Sequence, residues 1–523
     1  MDMLELYERY GEAAQYKDRW LGLYQGLYNF VLPDRDAFNV KWNYQDDGKQ
    51  TTVNIWDDTA VLAANQRAND IQSLLIPQDR VWGKFTLDPH LFSANEIEAV
   101  QPTLDESNSR IMFYMSQSNL SRAAYGSNQD LVGGTGVLWF ESPSDDVPLY
   151  FRSVPAVSTY IEQSSDDVAE TCWFKIKMIG YKVLSNFPKI PAKIKMVITE
   201  NPGEVYSIMY GQVITGENRY YLYVTIPDID PYAILWENER SYKQIIVFRD
   251  NVRPGESEGR GVGIDMLPTI TDLNHLVRDD RKNKSFKADP PMFYDNSSMF
   301  NPWSVRGWSG AMIARSPNGR NPIEPLQMPV YPEVFESIRH LQDVVRKGFQ
   351  VDQLGEVDSP VKSATEISIR ENRAQRSSAT NMSRIINEQP RQIFETVAKA
   401  LAERRLLTKD RKIGTINVKK LKFDFQSPLF DIQKQENINN LTNNLQIKQQ
   451  FLGEGAALAG ANTGELMTYI NMNTNTPSKL WRTTGEVNRL MEALGKQQQT
   501  PQQPVPTTQA SQVNLPQTTP EQF

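Results

Sequence analysis

Apolar side chains in the first 32 residues recur at helical spacing, with Leu4, Tyr7, Trp20, Leu23, Tyr24, Leu27 and Val31 on one side, and the pattern stops at Pro33. Residues three and four apart share a helix face, so the spacing predicts one amphipathic helix or two. A further helix is predicted over 57–75, where Thr59, Ala60, Ala63, Ala64 and Ala68 form a small-residue face that permits close packing before Pro77 ends it. From 131 to 250 the period changes. Short aromatic and β-branched runs at 137–140, 150–154, 171–176, 205–210, 220–226 and 244–248 are separated by turn residues, the pattern of a mostly antiparallel sheet.

Helical period returns after Gly263 through Leu267, Ile270, Leu273, Asn274 and Val277, continues into a charged run, and stops at Pro290 and Pro291. The stretch 292–332 is rich in Asn, Pro, Gly and Ser and has no helical period. Periodicity resumes over 333–353 through Phe335, Ile338, Leu341, Val344, Val345 and Phe349, which gives the order helix, excursion, helix. A charged, flexible loop is expected from Gly355 to Val361. Ser363 and Glu366 behind it have the spacing of a capping box, so a helix starts there, and Pro390 kinks or divides that helix. Residues 497–523 hold nine Gln, five Pro and Glu521 as the sole charged side chain; with little to bury, they are expected to lack fixed structure.

Composition narrows the chemistry. At 523 residues, with 39% hydrophobic residues and ten Trp, the chain has material for several packed units. The lone Cys172 rules out an intrachain disulfide or a cysteine-built zinc site and fits a reducing compartment. His90, His275 and His340 lie far apart, which argues against a His-rich metal centre or a Ser/His/Asp triad. No apolar run reaches the roughly 18 residues of a membrane helix, and the N-terminus lacks the shape of a signal peptide, so a soluble, cytosolically made protein without membrane contact is expected. A net charge of -7 opposes general nucleic-acid adhesion but leaves room for a local basic stripe.

Phosphate-binding motifs are missing. The run Gly259, Arg260, Gly261, Val262, Gly263 follows a predicted strand but has GxGxG spacing where a dinucleotide site needs GxGxxG. Gly48–Lys49, Gly83–Lys84 and Gly495–Lys496 each lack the following Ser or Thr of an ATPase loop. No catalytic set, metal site or cofactor is assigned, and the chain is not expected to be an enzyme. Among 63 carboxylates a metal-dependent DNA-processing site remains an open alternative.

Several blocks, taken together and in order over most of the first 400 residues, resemble the portal, or head-to-tail connecting, proteins of T7-like short-tailed bacteriophages. They are Asp58, Thr59, Ala60, Ala68, Leu74, Leu75, Pro77, Trp82 and Phe85; Asp130, Gly134, Thr135, Gly136 and the strand after it; Val154, Pro155, Tyr160 and Ile161; Gly259, Arg260, Gly261, Leu267, Pro268, Leu273 and Asn274; Asp289, Pro290 and Pro291; and Ala364, Thr365 and Glu366. Ile76 replaces a frequent aromatic, and Glu258 stands where the family pattern carries a tyrosine.

The resemblance implies an α+β portal fold: an N-terminal wing at 1–262, stem helices at 263–289 and 333–354, a clip at 290–332, a tunnel loop at 355–362, a long kinked helix at 363–407, a helical crown at 408–496 and the tail. It further implies a dodecameric ring at a unique capsid vertex of the virion, assembled in the host bacterial cytoplasm. Expected partners are double-stranded DNA in the channel, the terminase motor, a tail adaptor protein, and the major capsid and scaffolding proteins. Another virion structural protein, an adaptor or an internal core protein, is the nearer alternative.

A conduit for a polyanion needs mixed charge, because uniform neutralisation of phosphates would trap the DNA. On the first stem helix Arg278, Arg281, Lys282, Lys284 and Lys287 face Asp279, Asp280 and Asp289, and the loop adds Glu356, Asp358 and Lys362. These are the candidate channel residues. Between 399 and 422 nine cations, Arg404, Arg405, Lys409, Arg411 and Lys412 among them, stand against Glu403 and Asp410 and make a candidate DNA contact in the crown. Trp303, Arg306 and Trp308 are candidate anchors for the adaptor or terminase.

Overall fold

The computed structural model describes residues 2–35, 52, 54–78, 80–87, 91–92, 94–162, 168–216, 219–288, 292–294, 323–325, 332–350, 384–407, 421–426 and 428–452. They fall into two units, 1–436 and 437–523. In the second, only the end of one helix is described.

In the first unit Asp2 starts helix α1 (Met3–Asp18) by accepting from the Leu4 amide at 3.1 Å. The chain turns at Arg19 and Trp20 and continues as α2 (Leu21–Phe30), so the first amphipathic stretch is two helices. The Asp57 carboxylate accepts from the Thr59 amide at 3.0 Å and caps α3 (Thr59–Leu75), whose Ala60, Ala63, Ala64 and Ala68 are buried as the small-residue pattern predicts. Three elements that the sequence pattern does not announce follow: β1 (Gly83–Leu87), α4 (Ala94–Gln117) and α5 (Leu120–Leu131).

All six predicted strands are present, some longer than expected. They are β2 (Thr135–Glu141), β3 (Tyr150–Val154), β5 (Cys172–Ile179), β6 (Val205–Gly216), β7 (Arg219–Ile226) and β9 (Ile245–Arg249), joined by β4 (Thr159–Ile161) and β8 (Asp230–Arg240). Between β5 and β6 the chain forms a pair of short helices, α6 (Gly180–Asn186) and α7 (Ala192–Glu200). The strands make a three-stranded sheet of order β3-β2-β9 and a five-stranded sheet of order β4-β5-β6-β7-β8, antiparallel at every pairing.

Side-chain alternation gives the larger sheet two buried faces. Cys172, Phe174 and Ile176 of β5 join Ile208, Val224 and Ile226 in a core that α6 and α7 cover with Val183, Ile194 and Ile198, and that the smaller sheet shares. Trp173 points the other way. It packs with Met209, Val213 and Tyr223 against Leu6, Tyr10 and Ala13 of α1.

After a short helix α8 (Val262–Asp265), α9 (Leu267–Ala288) forms the first predicted stem helix. Its 22 residues span about 33 Å, shorter than the 27-residue helix expected because the turn at Met266 detaches the first residues. The hairpin β10 (Met292–Tyr294) with β11 (Ile323–Pro325) is the described part of the excursion. The helix expected up to 354, α10 (Pro332–Gly348), stops short of that position, and Gln350 lies in the left-handed region (φ 61°). Ile270, Leu273 and Val277 of α9 share one core with Ile338, Val345 and Phe349 of α10 and with Tyr24, Leu27, Tyr28 and Val31 from α2 and its C-cap.

Helical residues 384–388 meet a turn at Gln389, and α11 (Pro390–Glu403) starts directly at the proline. Pro390 therefore divides the helix, taking the first-turn position where a missing amide costs nothing. The segment assigned to a helical crown contributes a strand, β12 (Leu421–Phe425), that pairs with β1 from Gly83↔Phe425 to Leu87↔Leu421. Trp82, Phe85, Phe394, Leu138, Phe140 and Phe248 fill the core beside it, with the Phe85 and Phe394 rings edge-on at 4.9 Å.

The last described element is α12 (Pro428–Leu452); its end in the second unit is largely exposed, including Ile447 and Phe451. No helix among the described residues is long and apolar enough to cross a membrane. The capping box at Ser363 and Glu366 and the Gln/Pro-rich end lie outside the described residues.

Candidate functional site

Two glycine blocks far apart in sequence form one backbone joint just before α8 and α9. Gly134 adopts φ +115°, and a Cβ there would lie 2.3 Å from the Gly259 carbonyl oxygen. On Gly259 it would approach the Gly134 oxygen to 2.0 Å, and on Gly261 the Val132 oxygen to 2.2 Å. Main-chain bonds fasten the contact: Gly261 donates to the Gly133 carbonyl at 3.2 Å, Gly263 to Val132 at 2.9 Å and Asp250 to Gly134 at 2.8 Å. The Gly-Arg-Gly block is thus packed against its own chain and forms no phosphate cradle.

Glu258 sits inside this joint with its side chain 1% exposed. Oε1 accepts from Lys17 Nζ at 2.7 Å, and Oε2 accepts from the Tyr24 hydroxyl at 2.8 Å and from Thr135 Oγ1 at 3.0 Å. Lys17 also donates to the Ala156 carbonyl at 2.8 Å and lies 4.3 Å from the Tyr24 ring centre. Thr135 Oγ1 accepts in turn from the Gly259 amide at 3.0 Å. Burial drives the Lys17 pKa down against the pull of Glu258 and drives the Tyr24 phenol well up, reinforced by the same carboxylate. Every polar atom of the acid has a partner, so the pair fixes α1 and α2 to the chain just before α8 and α9.

A second buried acid holds the neighbouring joint. Asp130 at the end of α5 receives both Nε (3.1 Å) and Nη2 of Arg35, and Nη2 also reaches Ser153 Oγ at 2.9 Å. Burial raises the Asp130 pKa against the opposing effect of Arg35. On α9, Asn274 accepts from the amides of Trp56 (2.7 Å) and Asp57 (3.3 Å) and donates to the Asn54 carbonyl at 3.1 Å. Gln342 of α10 donates to Asp57 Oδ2 at 2.7 Å. The start of α3 is therefore tied to both α9 and α10.

Beyond Val277 the α9 side chains turn outward. Arg278 pairs with Asp279 at 3.1 Å, Lys282 approaches the same carboxylate at 3.9 Å, and Lys284 pairs with Asp280 at 2.6 Å. Arg281 lies over Trp56 at 5.8 Å, and Lys287 occupies the last turn, where a cation complements the helix dipole. Four of the five candidate channel cations on α9 thus have a neighbour on the same helix or on Trp56. From 278 to 288 five cations stand against two carboxylates, so Asp279 and Asp280 offset only part of the positive charge on this surface.

The other candidates are divided. Arg404 grips the β2–β3 loop, with Nε on Ser142 Oγ at 2.5 Å and Nη1 on Asp145 at 2.7 Å, so its guanidinium fastens α11 to the sheet and does not stand free. Arg405 is exposed, with φ 58°. Glu356, Asp358, Lys362, Lys409, Arg411, Lys412, Trp303, Arg306 and Trp308 lie outside the described residues. Glu258, Lys17 and Asn274 as tethers escape a reading by periodicity, because each is a polar residue whose partners are distant in sequence. Among the described residues no group of three or more His, Cys, Asp and Glu is placed to hold a metal ion.

The model of the bacteriophage head to tail connecting protein matches residues 4–480. No curated protein matches the chain. Among solved structures, a chain in the virion of a native gene transfer agent particle is 10% identical, with 82% of this chain and 96% of that one covered and a TM-score of 0.32. A chain from the neck of the empty particle, computed with C6 symmetry, is 10% identical over 81% and 94% at a TM-score of 0.35. One from the neck of the native particle, computed with C12 symmetry, is 10% identical over 76% and 97% at 0.30. By its match over nearly the whole sequence, this chain belongs to the family of bacteriophage head to tail connecting proteins.

Proposed function

We propose that twelve copies of this chain form the portal ring at a unique capsid vertex, through which DNA is packaged and later ejected, and to which the tail adaptor attaches. The observation that carries the reading is the α9–α10 pair: apolar and tied down at its root, but outward-facing over the far half of α9, where two carboxylates offset part of the charge of five cations. Such a wall offers DNA no continuous array of free cations, and a polyanion slides along it without being held. In this reading α9 and α10 line the channel, and the excursion between them meets the adaptor and the terminase motor. Membership in the head to tail connecting family supports a ring and its partners as part of this proposal. The part of the ring is structural, and catalysis is left to the motor.

Electron microscopy of the purified protein tests the reading. Rings with a central hole wide enough for duplex DNA are expected; a stable monomer at high concentration overturns it.

A further inference from the structure

The five-stranded sheet carries oppositely charged helices on its two faces. On one, α1 buries Leu6, Tyr10, Ala13 and Lys17 and turns outward a stripe formed by Glu5, Glu8 and Glu12, with Asp2 at its start. Residues 5, 8 and 12 are spaced three and four apart, so the carboxylates share one helix face. Leu4, 51% exposed, lies beside them. Glu5 is accounted for by the helix dipole at the first turn; Glu8 and Glu12 are not.

On the opposite face, α6, α7 and the turn between them bury Val183, Ile194 and Ile198 and expose Lys182, Lys189, Lys193 and Lys195, with Glu200 as the one exposed carboxylate at the end of α7. From 180 to 199 the chain has four lysines and no carboxylate, with Glu200 closing α7, in a protein whose net charge is -7. Lys193 is offset by Asp230 at 3.1 Å. Among the described residues Lys182, Lys189 and Lys195 make no ion pair, and neither do Glu5, Glu8 and Glu12. Tyr181 and Met196, 56% and 66% exposed, sit among the lysines.

We infer that the lysine-bearing α6–α7 pair of one copy docks on the acidic α1 stripe of a second copy of this chain. This rests on the ring reading and names the surfaces that build the ring. The two charged faces lie on opposite sides of one sheet and look away from each other, which is the arrangement a head-to-tail interface requires; such contacts close into rings when the rotation between copies permits. Exposed apolar residues on each side, Leu4 on one and Tyr181 with Met196 on the other, give the contact a centre that charge alone lacks. Opposite charge steers the encounter and sets its register. Duplex DNA would match the lysines but would leave the acidic stripe and the exposed tyrosine and methionine unexplained.

The test uses the full chain with Lys182→Glu, Lys189→Glu and Lys195→Glu together, with Glu5→Lys, Glu8→Lys and Glu12→Lys together, and with all six combined. All six side chains are exposed, and circular dichroism verifies that each variant folds. Light scattering and particle images at low and high salt report the ring fraction. Each triple reversal is expected to lower it at least tenfold, the combined variant to return at least half of it, and salt to weaken the wild-type ring. Rings that ignore both reversals, or six changes that do no better than three, overturn this contact while the ring reading stands. A wild type that never forms rings overturns both. Loss of duplex DNA binding in the lysine variant with rings intact assigns the face to nucleic acid and also overturns the inference.

Discussion

Glu258 accepts from Lys17 at 2.7 Å across 241 residues of sequence, and both side chains are 1% exposed. Removing one partner leaves the other as a buried, uncompensated charge, whereas removing both leaves no buried charge and costs only the hydrogen bonds to Tyr24, Thr135 and the Ala156 carbonyl. Lys17→Met is expected to lower unfolding stability by about 3–5 kcal/mol, and adding Glu258→Met to recover part of the loss. Denaturant titration followed by tryptophan fluorescence checks this. A double variant as unstable as the sum of the singles would show that the two residues act independently.

The joint between Gly134 and Gly259 leaves no room for a methyl group. Gly134→Ala meets both the left-handed φ of +115° and a backbone oxygen at 2.3 Å. A cost of at least about 2 kcal/mol is expected, because neither obstacle is a flexible side chain. The same change at Gly11 or Gly22, where a Cβ meets nothing within 4 Å, is expected to be neutral or mildly stabilising, as replacing a helix-interior glycine usually is. Melting temperatures of the three variants decide the matter.

Asp250 titrates unusually late. Burial pushes its carboxyl up to about 6; Asp265 adds to the shift and Arg67 opposes it. A folded-state pKa above the unfolded value means that the native chain binds the proton first, so this group's contribution to stability falls as pH rises from about 4 to about 6 and is flat above that. Asp250→Asn is expected to remove that slope and to raise stability at pH 7 by about 2 kcal/mol. Unfolding curves at pH 4.5 and pH 7 for both proteins give the difference directly, and parallel changes would exclude Asp250 as the cause.

On α9 the exposed ion pairs are expected to matter little for stability. Asp279→Asn with Asp280→Asn should shift unfolding by less than about 1 kcal/mol, since exposed pairs contribute little. Freed of its carboxylates, the helix presents Arg278, Lys282 and Lys284 to whatever faces it. Binding of a labelled duplex should strengthen and become more steeply salt-dependent. An unchanged salt slope would mean that this face of α9 does not meet DNA.

Much of the fold is legible in the sequence where period and composition agree. The two N-terminal helices, the alanine face of α3, six strands and the helix-excursion-helix order all follow from spacing. Other elements hide for physical reasons. The α4 helix contains Pro102 and many polar residues, and β8 holds Pro231 and several charged side chains with only Leu235 fully buried. The α6–α7 pair is too short for a clear period.

The glycine joint before α8 hides differently. Its glycine blocks can be seen singly, but their contact joins residues more than a hundred positions apart. Glu258 reads in sequence as a departure from a family tyrosine. In the fold its carboxylate accepts from the Tyr24 hydroxyl of α2, a partner 234 positions away that no local pattern announces.

The ladder between β1 and β12 sets an order of events during synthesis. Gly83 pairs with Phe425, so a strand made early in translation waits for some 340 further residues before its partner exists. Until then the cavity around Trp82 and Phe85 lacks Phe394, Phe423 and Phe425, and the nascent chain holds an unfinished core that is sticky and open to chaperones. Closure of the body is therefore a late step, and truncated products that end before residue 421 carry their own mark of incompleteness.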